Sequence, residues 1–185
     1  MRRLSSLGET PLSIPVVACA TTATVGDVAA LHRGDVWLPG TWGLTTEANT
    51  VGATLVGPVL LAAPSSATGI RARLVEGGRL VLSGEVEALG AAEGDMIEAD
   101  GADALLNAVG DVPVVVRVEV GEARMTAREW ASLGRGDVVT LGRRVGAPVL
   151  LRVGGVPVAR GELVNVEGEV GVRISERVAG EPAGA

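Results

Sequence analysis

Residues 112–120 read Val-Pro-Val-Val-Val-Arg-Val-Glu-Val. In an extended chain Val112, Val114, Val116, Val118 and Val120 share one face and Arg117 and Glu119 the other, which predicts a half-buried strand. Five valines on one face are too apolar to stay exposed, so this strand is expected to pair with its equivalent in the same chain or in a second copy. The sequence "TARE" at 126–129 follows, with Thr at an N-cap and Glu three residues on, a capping box that opens a short helix. Gly134 suits a left-handed residue closing that helix, and Asp137 leads into a strand, "VVTL". Three more strands are predicted in "PVLLRV", "VPVARGELVNV" and "EVGVRIS", with Gly-Gly and Glu-Gly at the turns.

The same pattern occurs earlier in the chain. "TVGDVAALHRGDV" at 24–36 aligns without a gap on "TAREWASLGRGDV" at 126–138. "IPVV" at 14–17 answers "VPVV" at 112–115, "PVLL" at 58–61 answers 148–151, and "RARLV" at 71–75 answers "RGELV" at 160–164. Four blocks in one order make the chain two copies of one unit. The expected organisation is a first, divergent unit over 1–84 with an insertion at 37–57, a linker over 85–108, a second unit over 109–178 and a tail over 179–185. The linker holds seven acidic residues and no basic one, and a short helix is expected near Ala104–Ala108. Both Arg-Gly-Asp tripeptides, at 33–35 and 135–137, fall where a helix hands over to a strand. Because the flanking sequence repeats with them, they read as architecture and not as an adhesion ligand.

Composition narrows the class further. The chain has 185 residues, 47% of them hydrophobic, with 30 Val against 4 Ile, and no Phe or Tyr. Valine suits a pleated surface, and 27 Gly with 9 Pro supply turns, so the fold class expected is mainly β. All 16 basic residues are Arg, which removes Schiff-base and P-loop lysine chemistry. A net charge of −6 argues against a nucleic-acid or anionic-membrane surface. One Cys gives no disulfide framework. "MRR" and "VVAC" imitate a lipoprotein signal, but Glu9, Pro11 and Pro15 interrupt the apolar run, and no stretch is long enough to span a bilayer. A cytoplasmic location is expected, without membrane insertion.

No catalytic constellation emerges. His32 is the single histidine, so a His-pair metal site is excluded, and nothing in the sequence brings Cys19 to it. "GRGDVV" at 134–139 begins like a dinucleotide loop but runs into a strand where a helix is needed. No metal, cofactor or catalytic residue is expected. Trp130 reads as core, while Trp37 and Trp42 flank the insertion and are candidate partner contacts.

The second unit resembles the surface-presentation-of-antigens (SPOA) domain of the flagellar switch proteins FliM and FliN and of the cytoplasmic ring protein of type III secretion systems. The marks are "DVPV" at 111–114, "RMT" at 124–126, "LGRGDVVTL" at 133–141, "ARGELV" at 159–164 and "GVRI" at 171–174. The first unit resembles it through "IPVV", "RGDV" and "PVLL" and lacks the "GVRI" ending. The resemblance implies small β-barrel units, each with one short helix, whose strands intertwine in pairs. A unit this small also buries too little apolar area alone. Two units in tandem look like the secretion ring protein, the alternative being a flagellar switch component. The implied role is a non-enzymatic scaffold linking the membrane-ring adaptor to the stator protein of the export ATPase, with export chaperones as further partners. The family's partner patch after Gly-Glu carries over to Leu163, Val164 and Asn165, the last standing where the family often has Val. Met96, in the linker, stands where internal initiation would yield the second unit as a separate product, expected to form a homodimer and bind the full chain. The bland alternative leaves Met96 as a linker residue.

Overall fold

The computed structural model describes residues 8–40, 42–49, 52–90, 109–141 and 148–178. Among them are eleven strands and two short helices: β1 (Pro11–Thr24), α1 (Val25–Ala30), β2 (Val36–Trp37), β3 (Thr45–Asn49), β4 (Gly52–Leu61), β5 (Thr68–Val75) and β6 (Arg79–Ala88), then β7 (Pro113–Thr126), α2 (Ala127–Ser132), β8 (Val138–Thr140), β9 (Val149–Val153), β10 (Val156–Val166) and β11 (Glu169–Arg177). A third helical turn occupies residues 109–111. The protein is mainly β, as composition predicts.

Ten strands follow one another in a single hydrogen-bonded order, β2-β11-β10-β9-β7-β1-β4-β5-β6-β8, and β3 pairs with β4 alongside it. Every pairing is antiparallel. At the centre β1 and β7 run side by side over their whole length, from Pro11 opposite Thr126 to Thr24 opposite Pro113. The valine-rich strand of the second unit therefore finds its mate within the same chain. The outermost strands cross over. β2 of the first unit closes β11 of the second, with Trp37 opposite Val172, and β8 of the second closes β6 of the first, with Val139 opposite Leu80.

The Arg-Gly-Asp segments make this exchange. Gly34 donates to the carbonyl of Ile174 and Ile174 donates to that of Asp35, both at 2.8 Å. Gly136 and Asp137 repeat these two bonds on Leu82, at 2.8 and 3.0 Å. Each Asp side chain also turns back on its own helix end, Asp35 accepting from the His32 N–H and Asp137 from the Gly134 N–H, both at 2.7 Å. The positive-φ residue of the second segment is thus Gly136 (φ 88°), equivalent to Gly34 (φ 100°), and not Gly134. The Asp side chain, in satisfying the Gly134 N–H, does the work a left-handed cap would have done. The predicted capping box of Thr126 with Glu129 forms, and Thr24 with Asp27 forms its counterpart in the first unit.

The two halves superpose in register: positions 102 apart in β1 and β7 are equivalent, Pro11 with Pro113 and Thr24 with Thr126. The "IPVV" and "VPVV" blocks are therefore offset by four residues in space. It is Pro11, first residue of its strand, that answers Pro113; a strand tolerates Pro at that place. The other blocks hold. Val16 pairs with Leu61 as Val118 pairs with Leu151, and Leu60 faces Arg71 as Leu150 faces Arg160.

The pseudo-two-fold axis passes through Val17 and Glu119, which face each other where register shifts interrupt β1 and β7. The shifts switch which side chains reach the main core. Val116, Val118 and Val120 are buried there and beyond the shift Ala123 is, so the simple alternation ends at Val120; Val112, ahead of the strand, is 46% exposed and Val114 is half-buried. Glu119 is not on a solvated face: at 5% exposure it is the one buried charged residue described. Its equivalent Val17 forms a second, smaller core with Ala62 and Leu89.

The insertion at 37–57 supplies Trp37 of β2, all of β3 and the start of β4, with β3 and β4 joined as a hairpin. Gly57 (φ 140°) lies where a Cβ would come within 2.4 Å of the Gly43 carbonyl, so glycine lets the insertion pass close over β4. β6 extends through Glu85, Val86 and Glu87 to Ala88, so the first residues of the acidic segment are strand. Leu89 follows it into the smaller core, while residues 91–108 of the linker, with Met96 and Ala104–Ala108, and the tail from 179 lie outside the described residues.

Candidate partner-binding face

Three strands, β10, β11 and β2, form one end of the sheet, and their pairing sorts the predicted site residues by face. Leu163, Val172 and Trp37 lie in one row, facing inward; Leu163 and Trp37 pack against the main core and Val172 is buried in it. Val164 is opposite Gly171 in the adjoining row, on the other face. Val36 and Leu38 close over Gly171, where a Cβ would stand 2.9 Å from Val36 Cγ1 and 2.7 Å from Leu38 Cδ2. Val36, Leu38 and Val166 are 41%, 45% and 37% exposed, and Val164 is half-buried. The outcome is an apolar strip across the end of the sheet, bordered by the Arg173–Glu162 ion pair.

Of the residues expected to bind a partner, Val164 is thus on the strip and Leu163 beneath it. Asn165 is exposed, and its Oδ1 accepts from the Gly168 N–H at 3.0 Å, holding a turn in which Glu167 and Gly168 both have positive φ. Asn at 165 thus serves the turn. Trp37 and Trp42 are half-buried against the main core, each with an indole nitrogen buried and without a hydrogen-bond partner. Val36 and Leu38 carry the exposed apolar surface next to Trp37. The sequence reading missed them because one belongs to the repeat and the other to the insertion; only the crossing of β2 onto β11 brings them to Val164.

The pseudo-equivalent strip at the other end of the sheet differs in chemistry. The row matching Val164–Gly171 is Val75–Arg79, extended by Thr140 where the first strip has Leu38. Arg79 and Thr140 are both exposed. Nearby, Arg71 pairs with Glu85 at 3.4 Å and Glu87 at 3.3 Å. The neighbouring rows differ less: Val138, 56% exposed, stands where the first strip has Val36, and the Arg71 pair has its counterpart in Arg160 with Glu176 at 3.4 Å, so the contrast lies in Gly171 and Leu38 against Arg79 and Thr140.

Near the axis, Arg152 donates to both Glu119 oxygens, at 2.8 and 3.3 Å, and to the Gly155 carbonyl at 2.7 Å. Arg117, across the strand from Arg152, donates to the carbonyls of Ala63, Pro64 and Ser66 in the loop between β4 and β5. Desolvation lowers the Arg117 pKa, Glu119 counters it and the neighbouring Arg152 adds to it. Cys19 is half-buried on β1, and burial pushes its thiol pKa up to about 12, so it is protonated and a poor nucleophile at neutral pH. His32 is exposed beyond α1. No group of three or more His, Cys, Asp or Glu among the described residues could hold a metal.

Residues 107–179 match the family FliMN_C, described as "Type III flagellar switch regulator (C-ring) FliN C-term". The second unit is a FliMN_C domain. The chain matches no curated protein. FliMN_C is a structural family of the C-ring and not a catalytic one, and its match takes in β7 to β11 together with α2. No helix among the described residues is long and apolar enough to cross a membrane.

Proposed function

We propose that the protein is a non-enzymatic scaffold of a type III secretion cytoplasmic ring, in which the strip of Val36, Leu38, Val164 and Val166 docks the stator protein of the export ATPase. The single observation that carries this reading is the difference between the two ends of one pseudo-symmetric sheet. The end built on the FliMN_C domain's β10 and β11 is apolar where its counterpart carries Arg79 and Thr140. A contiguous exposed apolar surface marks an interaction site, and a few residues carry most of the binding energy of such a site. Two units paired within one chain favour the tandem secretion-ring arrangement over a flagellar FliN, which carries one. The membrane-ring adaptor and export chaperones are partners on this reading, and the location is cytoplasmic at the inner membrane.

The test is a calorimetric titration of the full chain with the stator protein encoded beside it. Val164→Asp and Leu38→Thr, the latter borrowing the residue of the pseudo-equivalent position 140, should each weaken binding about tenfold or more while leaving the melting curve in place. Arg79→Ala at the opposite end should change nothing. Unchanged affinity in both strip variants would refute the assignment. A neighbouring gene for flagellin in place of needle subunits would turn the reading to the flagellar switch.

A further inference from the structure

We propose that Arg117 is the residue by which the second unit selects the first unit as its mate over another copy of itself. This is independent of which machine the protein serves.

The pseudo-two-fold pairing of β1 with β7 is geometrically open to any two units, because each supplies a strand of the same length and a short strand to exchange. The residues near the axis are not interchangeable. Arg117 lies directly across β7–β9 from Arg152 within its own unit. Like charges facing each other across a ladder are unfavourable unless each has another partner. Arg152 has Glu119. Arg117 has the carbonyls of Ala63, Pro64 and Ser66, all in the loop that joins β4 to β5 of the first unit. The planar guanidinium, with its several N–H groups, is suited to gather carbonyls that converge in this way.

That loop belongs to the first unit. Its residues 62–67 join Leu61 to Thr68, whereas the equivalent Leu151 and Pro157 are joined by a segment one residue shorter, in which the strands run on into a tight Gly154–Gly155 turn. If a second copy of the FliMN_C domain took the place of the first unit, the carbonyl cradle would be replaced by this two-residue turn. Arg117 would then be left beside Arg152 without its acceptors. The axis adds to the discrimination, since Val17 now faces Glu119 at 1% exposure. In a pair of second units Glu119 would face its own copy, each held by the Arg152 of its own unit, so two ion pairs would share a site that now takes one ion pair and a valine. Selection between mates is a difference of affinities, and here bonds gained with the right mate are joined by a second buried ion pair to be accommodated with the wrong one. A separately produced second unit would accordingly prefer the first unit of another chain to its own kind.

The experiment uses full-length chains bearing two different tags, refolded together from urea so that mates are chosen afresh. The readouts are the urea midpoint and the amount of mixed-tag complex captured. Wild-type chains should emerge as monomers with each unit paired inside its own chain. Arg117→Gln should raise the mixed-tag fraction at least about tenfold, the change expected from losing one charge-assisted hydrogen bond. Adding Glu119→Val, which removes the charge at the axis, should raise it further. Replacing residues 63–66 by the Val-Gly-Gly of the second unit, which removes the acceptors and keeps Ala62 and Arg117 in place, should produce the same exchange. If Arg117→Gln stays monomeric at every concentration, or fails to refold, Arg117 has a purely structural role and the proposal is overturned. The same holds if the shortened loop yields no mixed complex.

Discussion

Gly34 gives its backbone N–H to the carbonyl of Ile174, a residue of the other unit, and Gly136 does the same to Leu82. The Arg-Gly-Asp repeat is therefore a reciprocal latch, and its Asp is the part that a substitution can probe cleanly. Asp137→Ala should free the Gly134 N–H and loosen the turn that presents Gly136, at a cost of about 1–2 kcal/mol. Asp35→Ala should cost about the same. Thermal melts of both variants check this, and an unchanged melting temperature in either would refute it.

Val116 is fully buried at the centre of β7. Val116→Asp places an unpaired charge in the core shared by both units, a change of several kcal/mol that should abolish folding. Wild-type mass and melting in solution would contradict it.

The Glu119–Arg152 pair stands where the first unit has Val17 and Ala62. Arg152→Met leaves Glu119 buried without its cation and should cost about 3–5 kcal/mol. The double replacement Glu119→Val with Arg152→Ala imitates the first unit and should recover most of that loss. Urea denaturation of the single and double variants decides it; a double variant no more stable than Arg152→Met would show that the pair is not the issue.

The exposed capping-box carboxylates of Asp27 and Glu129 have pKa values lowered first by the backbone N–H and then by the hydroxyl of Thr24 and Thr126. A depressed folded-state pKa contributes stability that is present above the unfolded value and is lost as pH falls through the folded one. The melting temperature should therefore fall below the ordinary carboxylate range, and Asp27→Asn with Glu129→Gln should flatten that limb while leaving the neutral-pH plateau lower. An acid limb unchanged by both substitutions would contradict the assignment.

With its thiol pKa near 12, Cys19 should react with iodoacetamide far more slowly in the folded chain at neutral pH than in urea. Equal rates would show the thiol to be accessible and ionised.

Local structure was largely legible in the sequence because it depends on neighbours in the chain. Thr24 and Thr126 announce their helices through the acid three residues on, and the valine alternation marks β7 up to Val120. What was not legible depends on residues far apart in sequence. Glu119 reads as a surface residue by alternation, yet the register shifts at the axis and Arg152, 33 residues away, bury it as an ion pair. Similarly, Val164 could be named from a resemblance, but Leu38 could not. Its place beside Gly171 follows from β2 leaving its own unit, and no periodicity in 36–38 encodes that departure.

A sheet with a pseudo-two-fold axis would ordinarily offer every surface twice, yet Arg79 and Thr140 stand on one end where Gly171 and Leu38 stand on the other. In any assembly that reads the apolar strip, each chain is therefore univalent. Copy number in such an assembly would be capped at one partner site per chain, and no chain could bridge two partners.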